Sequence, residues 1–522
     1  MKSKSFAPIR QVQPRNQLAT ALLCALASAS AASATTQPDA SWIRVRTEAS
    51  RRVFPALPAA RKSSRDAAAA SPHATAVVSN CDDDGVGSLR QAVAGAADGD
   101  TIDLTQLQCS TITLSTGAIE VDLDDLAFQG PGRDRLAIDG AGLDRVFIHP
   151  YGGTLTFQAL TIHNGRDRAT GFHVAGGGCI ASAGYVQLYD SIVRDCYAGG
   201  EGAYGGALYA YSLTMANSTL TGNHAYGIHD SAGTAAFGGA AFVYSLQVSG
   251  STISANLADH RANPGFSSYD IGGAFVAVTG GSITGSTIDH NVADGRAGGI
   301  ATFSPLAVAN STVSANTART DIAGGLFLRW PSTLQLDSST ITGNVAASNG
   351  GGIWLNAPYS SIRSSIVSGN SSDVGNADNR YGAARSISVI GSNNLIGTAS
   401  EQIELPADTR SIDPQLKPLA WNGGVTRTHA LSPGSPAIDT GSNPLGLGTD
   451  QRGEDFPRIH GAAPDIGAYE TQARDFEPPP PPTPVPTLSR AALGALFAAL
   501  LGLVLRTRRF QARPPSPDRP RR

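Results

Sequence analysis

Lysine is missing from the whole middle of this chain: none stands between Lys62 and Lys417. That removes one common general base and charge neutraliser of polysaccharide-cleaving enzymes and leaves arginine and histidine for such work. An excess of one charge is missing too. The formal net charge is −3 over 522 residues, and the basic residues are scattered, so the electrostatic footprint of a nucleic-acid binder is absent. Cysteine is sparse, with five in all. Neither Cys81 with Cys109 nor Cys179 with Cys196 has metal-site spacing, and no metal or cofactor is expected.

The two ends read as addresses. Lys2, Lys4, Arg10 and Arg15 precede the apolar run "LATALLCALASASAASA", which closes on small residues at Ala32 to Ala34. That order of basic, apolar and small-residue regions is a secretory signal. Without it the chain keeps Cys81, Cys109, Cys179 and Cys196, an even set that implies disulfides in an exported protein. The sequence-local pairing, Cys81 with Cys109 and Cys179 with Cys196, is one of three connectivities. At the other end, Pro478 to Pro482 make a stiff spacer, followed by "PVPTLSR", the apolar run Ala491 to Leu505, and Arg506, Arg508 and Arg509. The run would span roughly 22 Å of a hydrocarbon core of about 30 Å. It reads as a short anchor with a positive-inside stop.

Between the ends one phrase returns. "LTMANSTLTGN" ends at Asn223, "LQVSGSTISAN" at Asn256, "GSITGSTIDHN" at Asn291, "LAVANSTVSAN" at Asn316, "LQLDSSTITGN" at Asn344 and "SSIRSSIVSGN" at Asn370. An earlier copy, "VQLYDSIVRDC", ends in Cys196. The frame is apolar-x-apolar-x-x-Ser-x-apolar-x-x-Asn. Glycine pairs separate the copies, and Gly272, Gly298, Gly324 and Gly350 recur every 26 residues, a period that suits one coil of a solenoid. Short strand-like runs such as "ALYAY" and "LFLRW" follow most pairs. The fold expected is all-β: a right-handed, single-stranded parallel β-helix with a short N-terminal capping helix. A leucine-rich-repeat-like solenoid is the alternative, opposed by the Ser-Thr-β-branched strings, the scarcity of leucine and the lack of helical segments. In a stack each residue sits about 4.8 Å above its counterpart. Leu213, Leu246, Leu306 and Leu334 would form one inward file, and Leu220, Ile253, Ile288, Val313 and Ile341 another. Asn223, Asn256, Asn291, Asn316, Asn344 and Asn370 would form a hydrogen-bonded ladder.

Three stretches resemble known families. "VPTLS", Val485, Pro486, Thr487, Leu488 and Ser489, followed by an apolar run and arginines, looks like the IPTL-CTERM sorting signals of Gram-negative bacteria. That resemblance implies recognition by an exosortase-type membrane transpeptidase. "GVGSLRQAVAGAADGDTIDL", Gly85 to Leu104, resembles the CSLREA-type leader found before bacterial β-helices, with Ser88 as a helix cap. "SNNLIG", "DPQLKPLAWNGGVTRTHALSPGSPAIDTG", "TDQRG" and "PDIGAYE", between Ser392 and Glu470, resemble the choice-of-anchor Q domain of surface proteins. Asp439, Asp450, Arg452, Asp465 and Glu470 within it read as cap and turn residues. The organisation is therefore a signal over 1–34, a low-complexity leader over 35–75, an N-terminal cap over 76–112, coils over 113–400, the anchor-like region over 401–474, a proline-rich linker over 475–484 and a sorting segment over 485–522.

Two neighbouring coils carry long insertions, "HAYGIHDSAGTAAF" and "LADHRANPGFSSYDI". Function on a rigid scaffold concentrates on such loops, which makes His229, Asp230, His260 and Asp270 candidate catalytic residues. Asp270, Arg296 and Asp321 precede successive glycine pairs and would stack as an acidic-basic-acidic stripe, either a structural charge ladder or a site for sugar binding or cleavage. The expected function is adhesion or glycan binding at the cell surface, with a polysaccharide or a host or cell-surface ligand as partner. The alternative is a polysaccharide lyase or glycoside hydrolase acting at the long-loop edge.

Overall fold

The computed structural model describes residues 73–168, 174–228, 235–260, 270–329, 331–356, 359–375 and 386–476. The signal, most of the leader, His229, Asp230 and the sorting motif Val485 to Ser489 lie outside them. No helix among the described residues is long and apolar enough to cross a membrane. The chain divides into two compact units, up to Thr471 and from Gln472 onward. Of the second unit only a 3-10 turn at Ala473–Phe476 is described.

The first unit is a parallel β-helix. Its coils stack into parallel sheets of twenty, eleven, seven and three strands. Most strands are three to five residues long, because each wall of a coil is only that wide. In the eleven-stranded sheet a unit such as "TLT" at Thr219–Thr221 or "TIS" at Thr252–Ser254 turns its middle residue inward and its hydroxyls outward. The register places Leu220 on Ile253, Ile288, Val313 and Ile341 in turn, the inward file expected. The leucine file also forms, with Gly281 standing between Leu246 and Leu306. The aliphatic side chains of both files are fully buried, and each one so placed contributes roughly 1.5–3 kcal/mol.

The corners explain the Ser and Asn columns. One residue before each ladder serine the backbone turns through the left-handed region, at φ 50° in Asn217, 51° in Asn310 and 46° in Ser338. A second such turn precedes each ladder asparagine, at Gly222, Ala255, His290 and Ala315 among others. Buried corners leave backbone groups to satisfy. The serines satisfy them in series: Ser218 N–H donates to Ser251 Oγ at 3.0 Å and Ser251 N–H to Ser286 Oγ at 3.1 Å, while each hydroxyl turns back to the carbonyl two residues earlier, as Ser251 Oγ does to Ser249 at 2.7 Å. The asparagines do the same with two bonds per rung. Asn256 donates its N–H to Asn291 Oδ1 at 3.0 Å and its Nδ2 to the same oxygen at 2.8 Å. The pattern repeats down to Asn370, whose N–H and Nδ2 both reach Asp373 Oδ1.

The glycine pairs do two jobs. Gly238 takes φ 70°, the turn, and a Cβ on Gly239 would collide with the Gly273 carbonyl of the next coil. In the later coils the turn keeps its place in the stack but falls on an alanine, Ala297 at φ 56° and Ala323 at φ 64°, and the glycine pair follows one residue later.

Parallel stacking begins before the coil region expected from the sequence: Thr75–Val77 already pairs with Thr101–Asp103. Above that pair lies the one α-helix among the described residues, Leu89–Gly95, with Ser88 Oγ accepting the Gln91 N–H. Its Leu89 and Val93 enter the main core, and Ile387, Val389 and Ile403 join the same core at the other end. Both disulfides have the sequence-local connectivity, Cys81 with Cys109 and Cys179 with Cys196.

The C-terminal region packs Ile403 and Leu405 on the end of the core and then leaves it. It returns along the outer face of the eleven-stranded sheet. Arg427 reaches Asp289 at 2.5 Å, Gln451 bonds Thr287 and Thr312 at 2.9 and 2.6 Å, Ser314 pairs with His429 at 2.8 Å, and the Ala468 N–H donates to Thr340 at 3.1 Å. Asp439 is a turn residue there, with φ 56° and a carboxylate that accepts the Ala462 N–H. Asp450, Arg452, Arg458, Asp465 and Glu470 are instead a buried ionic knot. Arg452 lies between the Phe456 and Tyr469 rings, 3.8 Å from each centroid, and bonds Asp450 at 2.7 Å.

That knot makes stability pH-dependent. Three carboxyls face two guanidinium groups, and burial pushes Glu470 up to about 8. A carboxyl whose folded pKa is raised keeps its proton in the native state while the unfolded chain has already lost it. The stabilisation is therefore complete below about 4.5 and is lost as pH rises through about 8. Urea unfolding is expected to show a higher midpoint at pH 5 than at pH 8.5, with the difference reduced in Glu470→Gln. Equal pH dependence in parent and variant would locate the effect elsewhere.

Candidate functional site

The seven-stranded sheet carries the chemistry. Its strands include Arg166–Arg168, Tyr197–Gly200, His224–Gly227, Leu257–His260 and Val292–Ala293. Alanines point inward in one file, Ala198, Ala225, Ala258, Ala293 and Ala318, and are fully buried. The residues on either side of each alanine therefore face out. One outward column runs Arg166, Tyr197, His224, Leu257; the other runs Tyr226, Asp259, Asp294, Arg319, the last three aligned by the Asp294 N–H to Ala258 and Arg319 N–H to Ala293 bonds, both 2.9 Å.

Neighbours are coupled both within and across the columns. The Arg166 guanidinium lies 4.5 Å above the Tyr197 ring. Tyr197 and Tyr226 stack at 6.3 Å, and His224 meets Tyr197 edge-on at 5.3 Å. His224 Nε2 then pairs with Asp259 Oδ1 at 2.6 Å. Arg319 Nη1 bonds Asp294 Oδ1 at 2.9 Å. Tyr197, His224, Tyr226, Asp259 and Asp294 are all half-buried, so their bases are fixed and their tips are wet.

Below this strip His260 Nδ1 is hydrogen-bonded to Asp270 Oδ2 and lies 3.8 Å from Asp294 Oδ2. The Asp270 carboxylate, through that bond, raises the His260 pKa above its ordinary value. Asp270 is fully buried and its Oδ1 accepts the Ala236 N–H at 2.7 Å.

Of the candidates expected from the sequence, His260 and Asp270 come together, and Arg296 bonds Asp321 at 2.6 Å. His229 and Asp230 lie outside the described residues. The expected stripe of Asp270, Arg296 and Asp321 takes a different form, since Asp270 is turned into the protein and only Arg296 and Asp321 are partly open to solvent. Asp259 and Asp294 were not singled out in the sequence, although both stand three residues after a ladder asparagine, Asn256 and Asn291. Reading the outward positions at constant phase finds them.

A second surface carries aromatics. Tyr185, Tyr211 and Tyr244 follow one another at ring separations of 5.7 and 5.5 Å, and the first two are more than two-fifths exposed. Tyr244 packs on a separate apolar cluster of Tyr204, Phe237, Phe242, Phe327 and Trp354 outside the main core. Comparison with protein-family models, curated proteins and solved structures finds no match.

Proposed function

We propose that this chain is an exported, cell-surface β-helix protein that binds a polysaccharide along the outer face of the seven-stranded sheet. The observation that carries the reading is the pair of outward columns in which Arg166, Tyr197, Tyr226, His224 and Asp259 alternate along the stack. A linear glycan offers apolar C–H faces and a dense set of hydroxyls. Aromatic rings cover the first and fixed charged groups bond the second. The rings and charges are braced by each other, so little side-chain entropy is lost on binding. Export and display are supported by the two disulfides, which belong to oxidising compartments, and by the sorting-signal resemblance, which makes an exosortase-type enzyme the partner at the membrane.

Retention of the purified full-length chain on immobilised acidic and neutral polysaccharides tests the reading. A Tyr197→Ala/Tyr226→Ala variant is expected to lose at least tenfold in retention while keeping the parent's unfolding free energy within about 1 kcal/mol. Retention unchanged in that variant would remove the site from this face. One observation favours cleavage as a second reading: His224, half-exposed and held by Asp259, has the arrangement of a general base. New reducing or unsaturated ends that disappear in His224→Ala would make the protein a lyase or hydrolase.

A further inference from the structure

His260, Asp270 and Asp294 bring one imidazole nitrogen and two carboxylate oxygens within 4.8 Å of one another, and we propose that they form a binding site for a first-row transition dication, with Zn²⁺ as the best match.

The spacing argues for an ion. Ligand atoms held about 2.0–2.2 Å from a tetrahedral centre lie roughly 3.4 Å from each other. His260 Nδ1 and Asp294 Oδ2 stand 3.8 Å apart, close to that value before any ion draws them in. Asp270 Oδ2 is nearer, in direct hydrogen bond with the same nitrogen. Entry of the ion replaces the proton of that bond: the imidazolium gives its Nδ1 proton to solvent and keeps the one on Nε2, the neutral ring turns its Nδ1 lone pair on the metal, and the two groups separate by about 1 Å, within the reach of side-chain rotation.

The outer contacts point the same way. Metal-binding carboxylates are held by a second layer of hydrogen bonds. Asp270 gives its Oδ1 to the Ala236 N–H at 2.7 Å and Asp294 gives its Oδ1 to Arg319 Nη1 at 2.9 Å. Each thus commits one oxygen to a fixed donor and turns Oδ2 toward His260. The ligands come from consecutive coils: His260 ends the strand Leu257–His260, Asp294 follows Val292–Ala293, and Asp270 precedes the bridge at Ile271. Coil register therefore sets their separation, which makes the cluster rigid.

The donor set selects the cation. Calcium takes six to eight oxygens, and an imidazole between two carboxylates suits Zn²⁺ and its neighbours better than Mg²⁺ or Ca²⁺. Two carboxylates and a neutral imidazole supply two negative charges to the dication. Three protein ligands leave a fourth position for water or for an oxygen of a bound molecule. The site adjoins the outward column that ends in Asp259, Asp294 and Arg319, yet the inference stands without the glycan reading because the ion alone is the probe.

The full-length chain, purified without a histidine tag, is stripped with a chelator, titrated with Zn²⁺ and passed over a desalting column for metal analysis. One Zn²⁺ per chain is expected to remain, with a raised melting temperature. Asp294→Asn and His260→Gln are each expected to weaken binding at least tenfold, and Arg319→Gln to weaken it less, while His290→Gln leaves it unchanged. Circular dichroism of the metal-free variants shows whether they fold; the two ligand variants fail independently, so one folded variant suffices. Zinc held equally by the parent and a folded ligand variant would mean an adventitious ion and overturn the proposal. So would the absence of retained zinc, or retention of Ca²⁺ in preference to Zn²⁺.

Discussion

Asn291→Ala is expected to destabilise the coil array by about 3–5 kcal/mol, among the largest effects of any single substitution outside the apolar core. The side chain sits mid-ladder with no solvent exposure. Its Oδ1 accepts both the N–H and the Nδ2 of Asn256, and its Nδ2 donates to the Ile253 carbonyl and to Asn316 Oδ1, both at 2.9 Å. Truncation leaves the buried Asn256 N–H without its acceptor, at roughly 1–3 kcal/mol less whatever water recovers, and takes one further bond each from the Asn256 Nδ2, which keeps the Leu220 and Ser254 carbonyls, from the Ile253 carbonyl and from Asn316 Oδ1. Asn370→Ala should cost about half as much, because its bonds are only partly buried. Urea unfolding of the two variants beside the parent reads the difference. A mid-ladder variant no less stable than the terminal one would refute the account of the column as a continuous network.

Removal of the Cys179–Cys196 bridge is expected to cost about 3 kcal/mol, the loop-closure value for a 17-residue separation. The position gives the loss a structural address. Cys196 occupies the ladder site in its coil, and its N–H donates to Asn223 Oδ1 at 3.1 Å. The bridge therefore ties the first rung covalently to the strand beside it. In Cys179→Ala/Cys196→Ala, hydrogen exchange should rise first in Tyr197–Gly200 and His224–Gly227, before the coils beyond Asn291 respond. The Cys81–Cys109 bridge lies in the N-terminal cap, over a 28-residue separation, so its loss should loosen the Leu89–Gly95 helix and leave the middle coils protected. Indistinguishable exchange patterns in the two deletions would show that the array opens as one piece.

The fold was legible because stacking turns position into pattern. Ser251 and Asn256 recur at fixed phase since each bonds its own counterpart in the next coil, so the chemistry that holds the coil also writes the repeat. The return of the C-terminal region along the coils was not legible, since Gln451 and Arg427 bond hydroxyls, carbonyls and a carboxylate that repeat for other reasons. A trace of it exists in burial alone: Thr287, Thr312 and Thr340 are covered, whereas Thr219 and Thr252 at the same phase are half-open. The candidate site was partly legible. Loop length led to His260 and Asp270; Asp259 stands in the same long stretch on the strand Leu257–His260, and Asp294 follows the two-residue strand Val292–Ala293 in a coil with no long insertion, so neither drew notice.

The asparagine ladder has a direction. Every rung accepts at its oxygen from the preceding coil and donates from its nitrogen to the following one, from the Cys196 N–H at one end to Asp373 at the other. Six side-chain amide dipoles are thus aligned along the axis of the stack, as peptide dipoles are in an α-helix, with the positive pole toward the later coils. The residue that receives that pole is a carboxylate, Asp373, whose Oδ1 takes both donors of Asn370 at 3.0 and 2.9 Å. The column is a field-bearing element as well as a set of hydrogen bonds, and a negative charge terminates it where its own polarity asks for one.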